Sequence, residues 1–503
     1  MNRRDFLKRG ALAGTALGAL PVFSAGSMPE TPPLARPVRR NGRPNILFLF
    51  TDQWRYDIFG YAGNKQVRTP YLDRLARQSM NFRRAYCPSP ACGPSRASLF
   101  TGVFPAEHGH MRNVHAHDPS LPLFTDKLRG MDYHTGLVGK LHLHPVEASH
   151  GFDWKLLCDA HYDTYSEKEA KHNDYFDALA KMRPEQSREA WVEAGGRTEA
   201  KGPAAHEFWL GQRWVDEAAH HTNWTADEAV RFLQRDDGSQ PWFLNVSFFG
   251  PHHPYKTDFP WADFYPPSGM DLPPTLNMEK NTPVFEALKR RIHTEMAAWD
   301  EELWPKMIAQ YYGYCSQIDL AVGRILTALA QRGDAENTWI IFTSDHGDHL
   351  GNWGLLGKAD PYETSIRVPL LICPPGGIEG GGTHDGVVNM MDLNGTILDM
   401  AGGAKTPRSL LPVVEGGAGP DGTFVFQGWA PDNYHAVYVE RQHKLIATNR
   451  PDGRRLYEAY AIADDPWEKN DLWPGGQTHT TWRRMRATLD QWCREQEAAM
   501  VRH

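Results

Sequence analysis

Apolar residues cluster along the chain in short, almost unbroken runs rather than in alternation. Five are of strand length: Asn45–Phe50, Thr135–Val138, Trp242–Phe249, Trp339–Thr343 and Val368–Cys373. Such runs suit strands buried on both faces of a parallel sheet. Between them, Thr69–Gln78, Trp224–Gln234 and Tyr311–Arg332 carry helical spacing. Alternating β and α segments predict an α/β layer fold. After the helical pattern Asp392–Ala401 and its Gly402-Gly403 stop, the pattern changes. Tyr434–Asn449 and Arg454–Tyr460 read as short antiparallel strands around the turn Pro451-Asp452-Gly453, and Thr480–Met500 reads as a closing helix. A domain boundary is expected near residue 405, giving a main domain over 44–404 and a C-terminal subdomain over 405–503.

The first residues have a different character. Arg3-Arg4-Asp5-Phe6-Leu7-Lys8 precedes an apolar run from Ala11 to Phe23 and small residues around Ser24–Ser27. This is the pattern of a signal peptide over 1–25, and the Arg pair resembles a twin-arginine signal. It implies export, to a bacterial periplasm, of an already folded chain. The run is too short for a membrane span, which needs about 20 residues. Residues 26–43, rich in Pro and Arg, read as a linker.

The formal charge is −7, and removal of residues 1–25 with Arg3, Arg4, Lys8, Arg9 and Asp5 takes it to −10. That balance argues against a nucleic-acid partner. An anionic substrate would need a local cluster of cations. The six cysteines, Cys87, Cys92, Cys158, Cys315, Cys373 and Cys493, form no CxxC pair, so a disulfide framework or zinc knuckle is not expected.

Candidate chemistry lies where the strand-like runs end. The first runs into Thr51-Asp52-Gln53, the second into Gly139-Lys140-Leu141-His142, the third into Gly250-Pro251-His252-His253, and the fourth into Ser344-Asp345-His346-Gly347. In open parallel sheets ligands bind beyond the carboxyl ends of the strands. These four ends are therefore expected to converge on one edge.

The segment Cys92-Gly93-Pro94-Ser95-Arg96-Ala97-Ser98-Leu99-Phe100-Thr101-Gly102 resembles the sulfatase signature C-x-P-S-R-x-x-x-L-T-G. Further likenesses follow in order. They are Arg68-Thr69-Pro70-Tyr71-Leu72-Asp73 ahead of the signature, Gly139–Leu143 for GKxHL, and Pro251-His252-His253-Pro254 for PHxP. Lys358 to Glu363 with Arg367-Val368-Pro369, and Leu456-Tyr457 with Asp465–Leu472, complete the series. Phe100 and Val103 depart from the common pattern, whereas Cys92, Pro94 and Arg96 keep it.

The resemblance implies an alkaline phosphatase-like sandwich, with a large mostly parallel central sheet and a smaller C-terminal subdomain of antiparallel sheet and helix. It also implies that a formylglycine-generating enzyme oxidises Cys92 to formylglycine (3-oxoalanine). As its hydrate this aldehyde carries two hydroxyls on one carbon. One attacks sulfur to form a covalent sulfate ester, and loss of the other's proton expels sulfate. Unmodified, Cys92 could be a plain buried thiol or a partner of Cys87.

By the same resemblance Asp52, Gln53, Asp345 and His346, with the modified Cys92, hold one divalent cation. Mostly oxygen ligands favour Ca²⁺, with Mg²⁺ or Mn²⁺ as alternatives. Asp348 with His349 is a second possible ligand set. Arg96, Lys140 and Lys358 would hold the sulfate oxygens. His142 would support the hydrate, and His252 would protonate the leaving oxygen. His253 is a weaker candidate, and Tyr362 and Glu363 are expected to support the site from behind.

The substrate is expected to be a sulfated small molecule or glycan. Trp154, Trp191, Trp209 and Trp214 in residues 150–225 mark the expected specificity region. Asp52-Gln53-Trp54-Arg55 also resembles the start of phosphonate monoester and phosphodiester hydrolases of the same superfamily, which leaves that activity open. A catalytically idle sugar-binding relative is disfavoured because the full residue set is present.

Overall fold

A computed structural model describes residues 42–159, 173–193, 210, 214–236, 238–282, 284–286 and 302–502. The expected signal peptide over 1–25 and nearly all of the expected linker lie outside the described residues. No helix among the described residues is long and apolar enough to cross a membrane.

The apolar runs form strands of one nine-stranded sheet. In chain order these are β1 (Asn45–Asp52), β2 (Met80–Tyr86), β3 (His134–Gly139), β4 (Trp154–Leu157), β5 (Trp242–Pro251), β6 (Thr338–Ser344), β7 (Arg367–Val368), β8 (Leu370–Cys373) and β9 (Gly382–Asn389). The spatial order is β4-β3-β5-β1-β6-β8-β2-β7, with β9 paired to β2. β4, β3, β5, β1 and β6 are mutually parallel.

The side chains of β1 show why its run is unbroken. Ile46, Phe48 and Phe50 pack into one core, while Leu47 and Leu49 pack into a second on the opposite face. The second core receives residues of α1 (Pro70–Ala76), α3 (His221–Arg235) and α4 (Leu303–Arg332). The first receives α2 (Cys92–Thr101) and α6 (Leu393–Met400), so helices cover both faces. A four-residue helix, α5 (Glu363–Ile366), lies between Tyr362 and β7.

Part of the expected parallel set is corrected. The run Val368–Cys373 is interrupted at Pro369, and β8 pairs antiparallel with both β6 and β2. Residues 345–366 return the chain from β6 with no crossover helix longer than α5, and such a return reverses strand direction. Burial on both faces gives this strand the same composition as its parallel neighbours.

The tail forms a separate four-stranded antiparallel sheet, β10 (Gly422–Ala430), β11 (Asn433–Glu440), β12 (His443–Asn449) and β13 (Arg455–Ala461). The last helix, α7 (Thr480–Met500), has the expected bounds. Its Trp482, Met485, Leu489 and Trp492 pack on Phe426, Tyr434, Ala436 and Leu445. Val425, Val437, Val439 and Ile446, also from this sheet, join the first core of the large sheet.

Candidate active site

Strand register assembles the site. Thr51 of β1 pairs with Ser344 of β6, so the next residues, Asp52 and Asp345, emerge side by side. Gly139 pairs with Ser247, and the Lys140 N–H continues the ladder to the Ser247 carbonyl at 2.8 Å. Asp52 pairs with Pro251, which places His252 one residue beyond. All four strand ends thus meet on one edge. Cys92 opens α2 against that edge, with Ala91 in an extended conformation before it.

Buried charges converge there. Asp52, Gln53, Lys140, Asp345 and His346 have no solvent exposure, and Cys92 and Arg96 have 1% each. Arg96 spans the cluster: Nε donates to Asp345 Oδ2 at 2.8 Å and Nη2 to Asp52 Oδ2 at 3.3 Å. Its Nη1 donates to the Lys140 carbonyl at 2.8 Å and to Ser247 Oγ at 3.0 Å. Lys140 Nζ pairs with Asp52 Oδ2 at 2.7 Å. Cys92 Sγ lies 3.1 Å from His346 Nε2 and 3.6 Å from Asp52 Oδ1.

The acids and bases are not equivalent. Burial opposes the charge of Asp52, but Lys140, then His252, Arg96 and His346, outweigh it and hold the carboxyl well below its usual range. Burial and then the facing Asp52 push Asp345 up to about 7, against His346 and Arg96. Burial, then Lys140 and Arg96, drive His142 well below its ordinary value. For His252 the causes are burial, then Lys358 and His253. Burial also lowers His346, although Asp345 opposes it. The imidazoles are therefore neutral at neutral pH.

Lys358 enters from the loop before α5. Its Nζ donates to Gln53 Oε1 and lies 2.6 Å from His252 Nε2. His252 Nδ1 faces the His253 carbonyl, so it carries the ring proton and Nε2 offers the lone pair to Lys358. His142 sits in the turn after Lys140 with φ +56°, and its ring is 6.3 Å from that of His144. The backbone N–H groups of Leu141 and His142 donate to Asp159 Oδ1 at 2.6 and 3.1 Å.

The second possible ligand set takes other roles. His349 binds Thr364 through Nδ1 at 2.8 Å and Asp360 through Nε2, while Asp348 accepts from Tyr255 and Leu350. Tyr362 and Glu363 turn toward the small sheet, where Tyr362 bonds Glu458 at 3.1 Å and Glu363 pairs with Lys444 at 3.1 Å. In the expected specificity region, the Trp154 ring lies 5.3 Å from that of Phe232, a packing role. Trp214 is 41% exposed. Trp209 and the side chain of Trp191 lie outside the described residues.

Several partners carry no motif. Ser247 is one polar residue within the apolar run of β5, which is a readable signal. Asp159 follows β4, where Cys158 N–H bonds the Gly139 carbonyl at 3.0 Å. Nothing local in the sequence marks it. Asn113 accepts the N–H of Gly93, beside Cys92, at 3.1 Å.

A divalent cation suits the chemistry of these groups. One donor atom each from Asp52, Cys92, Asp345 and His346 lies within 4.8 Å of every other, all in buried residues. Two facing carboxylates, one of them held near protonation by burial and by the other, are what a bound cation would relieve.

The comparisons with known proteins agree with this architecture. Residues 44–404 match the sulfatase family, and residues 351–495 match the C-terminal family of N-sulphoglucosamine sulphohydrolase. An arylsulfatase of Clostridium perfringens is 32% identical over 370 residues, covering 71% of this chain and 75% of that protein. An N-acetylglucosamine-6-O-sulfatase of Bacteroides thetaiotaomicron is 25% identical over 497 residues, covering 86% and 81%. Among solved structures, the phosphonate monoester hydrolase of Agrobacterium radiobacter superposes with a TM-score of 0.71 at 23% identity, covering 90% and 96%. The chain belongs to the sulfatase family, on an alkaline phosphatase-like fold, and is a sulfuric ester hydrolase.

Proposed function

We propose that this sulfatase hydrolyses its ester through Cys92 matured to formylglycine and one divalent cation, most consistent with Ca²⁺, and that its substrate is a sulfated sugar. The carrying observation is the convergence of Cys92, Asp52, Asp345 and His346 beside Arg96 and Lys140. Asp52, Asp345, His346 and the Gln53 amide oxygen would hold the cation together with the modified Cys92. When bound, the ion and the hydrated aldehyde supply a strong oxygen nucleophile and a second hydroxyl whose deprotonation releases sulfate.

The chain's own residues supply the rest. Arg96, Lys140 and Lys358 set three cations beside Asp52 and Asp345, which gives an anionic ester local positive charge although the whole protein is acidic. Arg96 and Lys140 are locked by Asp52, Asp345 and Ser247, so their positive ends are preorganised. His252 Nε2 accepts from Lys358 in the resting site. A proton passed from the Lys358 ammonium to His252 Nε2 is delivered to the leaving oxygen, which departs as the alcohol and leaves Lys358 neutral until solvent reprotonates it. His142, kept neutral, serves as the base for sulfate release.

The sugar assignment is supported by the relative named for N-acetylglucosamine 6-O-sulfate and by the expected export of the chain through a twin-arginine route. The test compares kcat/KM on matched aryl sulfate and aryl phosphodiester, then on sulfated mono- and disaccharides, with Cys92 checked by mass spectrometry. Sulfate esters are expected to be preferred, with formylglycine at position 92. A large preference for the diester would instead make the chain a phosphonate or phosphodiester hydrolase. Turnover of aryl sulfate without any sugar would remove only the glycan assignment.

A further inference from the structure

Gln53 is held on every side. Its φ is +69°, an uncommon region for a residue with a side chain. Its N–H donates to Asp345 Oδ1 at 3.1 Å, and its carbonyl accepts from the Tyr311 hydroxyl at 2.7 Å. Its side-chain amide lies between two charges of opposite sign. Lys358 Nζ donates to Oε1, while Nε2 donates to Asp348 Oδ2 and lies 3.1 Å from His253 Nδ1.

An amide can rotate by half a turn with almost no change of shape, so its orientation is decided by its hydrogen-bond partners. Here the flipped amide would set its oxygen against the Asp348 carboxylate and its NH₂ against the Lys358 ammonium. Both contacts would be repulsive. Asp348 itself cannot turn away. It has no solvent exposure, Oδ2 also accepts from the Tyr255 hydroxyl at 2.7 Å, and Oδ1 accepts from the Leu350 N–H at 2.8 Å. With Gln53 Nε2 as donor, His253 Nδ1 must be an acceptor, so its proton lies on Nε2.

The geometry points to Asp348 as the positioning residue that keeps the Gln53 amide oxygen, rather than its nitrogen, turned toward Lys358 and the cation site. Only the oxygen can ligate a hard cation, and the NH₂ cannot. A carboxylate at position 53 would have two equivalent oxygens and need no such orienter. A glutamine at this position brings the requirement with it, and Asp348 with Tyr255 meets it. This assignment rests on the cation reading proposed above.

The measurement is Ca²⁺ affinity, by chelator competition or calorimetry, on the full chain, independent of turnover. Four proteins are compared: the parent, Asp348→Asn, Gln53→Glu and the double variant. Outer partners of metal ligands typically contribute 10- to 100-fold in affinity. Asp348→Asn in the parent background is expected to weaken binding about 10- to 100-fold, because the introduced amide can also donate and so removes one of the two contacts that oppose the flipped orientation of Gln53. In the Gln53→Glu background the same change should cost less than about threefold, or improve binding by removing a like charge. An equal loss in both backgrounds would show a merely structural role and overturn the assignment, as would no loss in the parent background. Should Asp348→Asn not fold, Tyr255→Phe is the milder probe: a loss of affinity is expected in the parent background and none in the Gln53→Glu background, and equal effects would overturn it. A parent chain that binds no divalent ion would instead overturn the cation reading itself.

Discussion

Two clusters of buried charge in this protein look alike in composition and differ in how they are balanced. At the carboxyl edge of the large sheet, Asp52, Asp345, Arg96 and Lys140 contact one another beside Cys92 and His346. Next to the small sheet, Lys444 lies between Glu363 at 3.1 Å and Glu468 at 2.6 Å. Lys280 there sits over the rings of Trp353, Tyr362 and Tyr460 at 4.5, 4.6 and 4.7 Å. In that second cluster each buried charge has opposite charge or aromatic faces on several sides. Lys444 stays charged because Glu468 and Glu363 outweigh the cost of burial. In the first, burial and then the facing Asp52 push Asp345 up to about 7, although Arg96 donates to it at 2.8 Å. The second cluster sets Lys444 between two carboxylates within the fold, whereas the first sets two carboxylates face to face. The two are joined through the loop from Lys358 to Glu363, one end in each.

The largest expected effects separate the two clusters outright. Cys92→Ala and Asp345→Ala should each abolish turnover, measured as kcat/KM on an aryl sulfate, with a folded circular dichroism spectrum retained. Activity with an unmodified thiol at position 92 would end the formylglycine reading. Lys444→Met should behave the other way. It leaves Glu363 and Glu468 buried without their cation, and breaking such a group typically costs about 3–5 kcal/mol. Denaturant unfolding should show that loss. A variant as stable as the parent would mean that the second cluster is not the structural one.

How much of this is legible in the sequence divides along the same line. The candidate active-site cluster is built from residues at the ends of apolar strands, so Asp52, Lys140, His252 and Asp345 can be found by local reading plus the rule that ligands bind at strand ends. In the charge cluster beside the small sheet, Glu363 and Glu468 fall in runs that the resemblance marks, but Lys280 and Lys444 have no local signature, and nothing along the chain shows that the four meet. The same limit explains the strands. β1, β3, β5 and β6 are dominated by apolar residues and readable, but β2 carries Asn81, Arg83 and Arg84, and β9 carries His384 and Asp385, so neither shows a strand pattern. The antiparallel direction of β8 depends on the length of a connection, not on the strand's own residues.

Asp159 tests whether partners without a motif matter to the readable site. Its carboxylate satisfies two N–H groups of the turn that places His142. Asp159→Ala should lower kcat on the order of 10²-fold, the effect of about 1 Å of misplacement at a catalytic group. Asp159→Asn, which keeps an acceptor, should recover most of that. Equal losses in both variants would show that the charge of Asp159, not the turn, is what counts.

The smallest expected effect is a pH dependence, and it isolates Asp345. In the metal-free fold Asp345 has a pKa of about 7, above the unfolded value of about 3.9. Between those values the folded state keeps a proton that the unfolded chain has released. The contribution of Asp345 therefore favours folding at low pH and is lost as pH rises through about 7. Buried histidines titrate in the opposite sense over part of this range, so the parent alone would not show the effect cleanly. Asp345→Asn shares those histidines and mimics the protonated acid at every pH. After chelation, the variant's Tm relative to the parent's should rise by about 2–5 °C between pH 5 and pH 8, the shift that a penalty on the order of 1 kcal/mol gives in a sizeable domain. Adding Ca²⁺ should reverse the order at pH 8, because a bound cation needs the ionised carboxylate that the variant lacks. A Tm difference constant from pH 5 to pH 8 would mean that Asp345 is ionised throughout, and that the first cluster is as well balanced without its cation as the second.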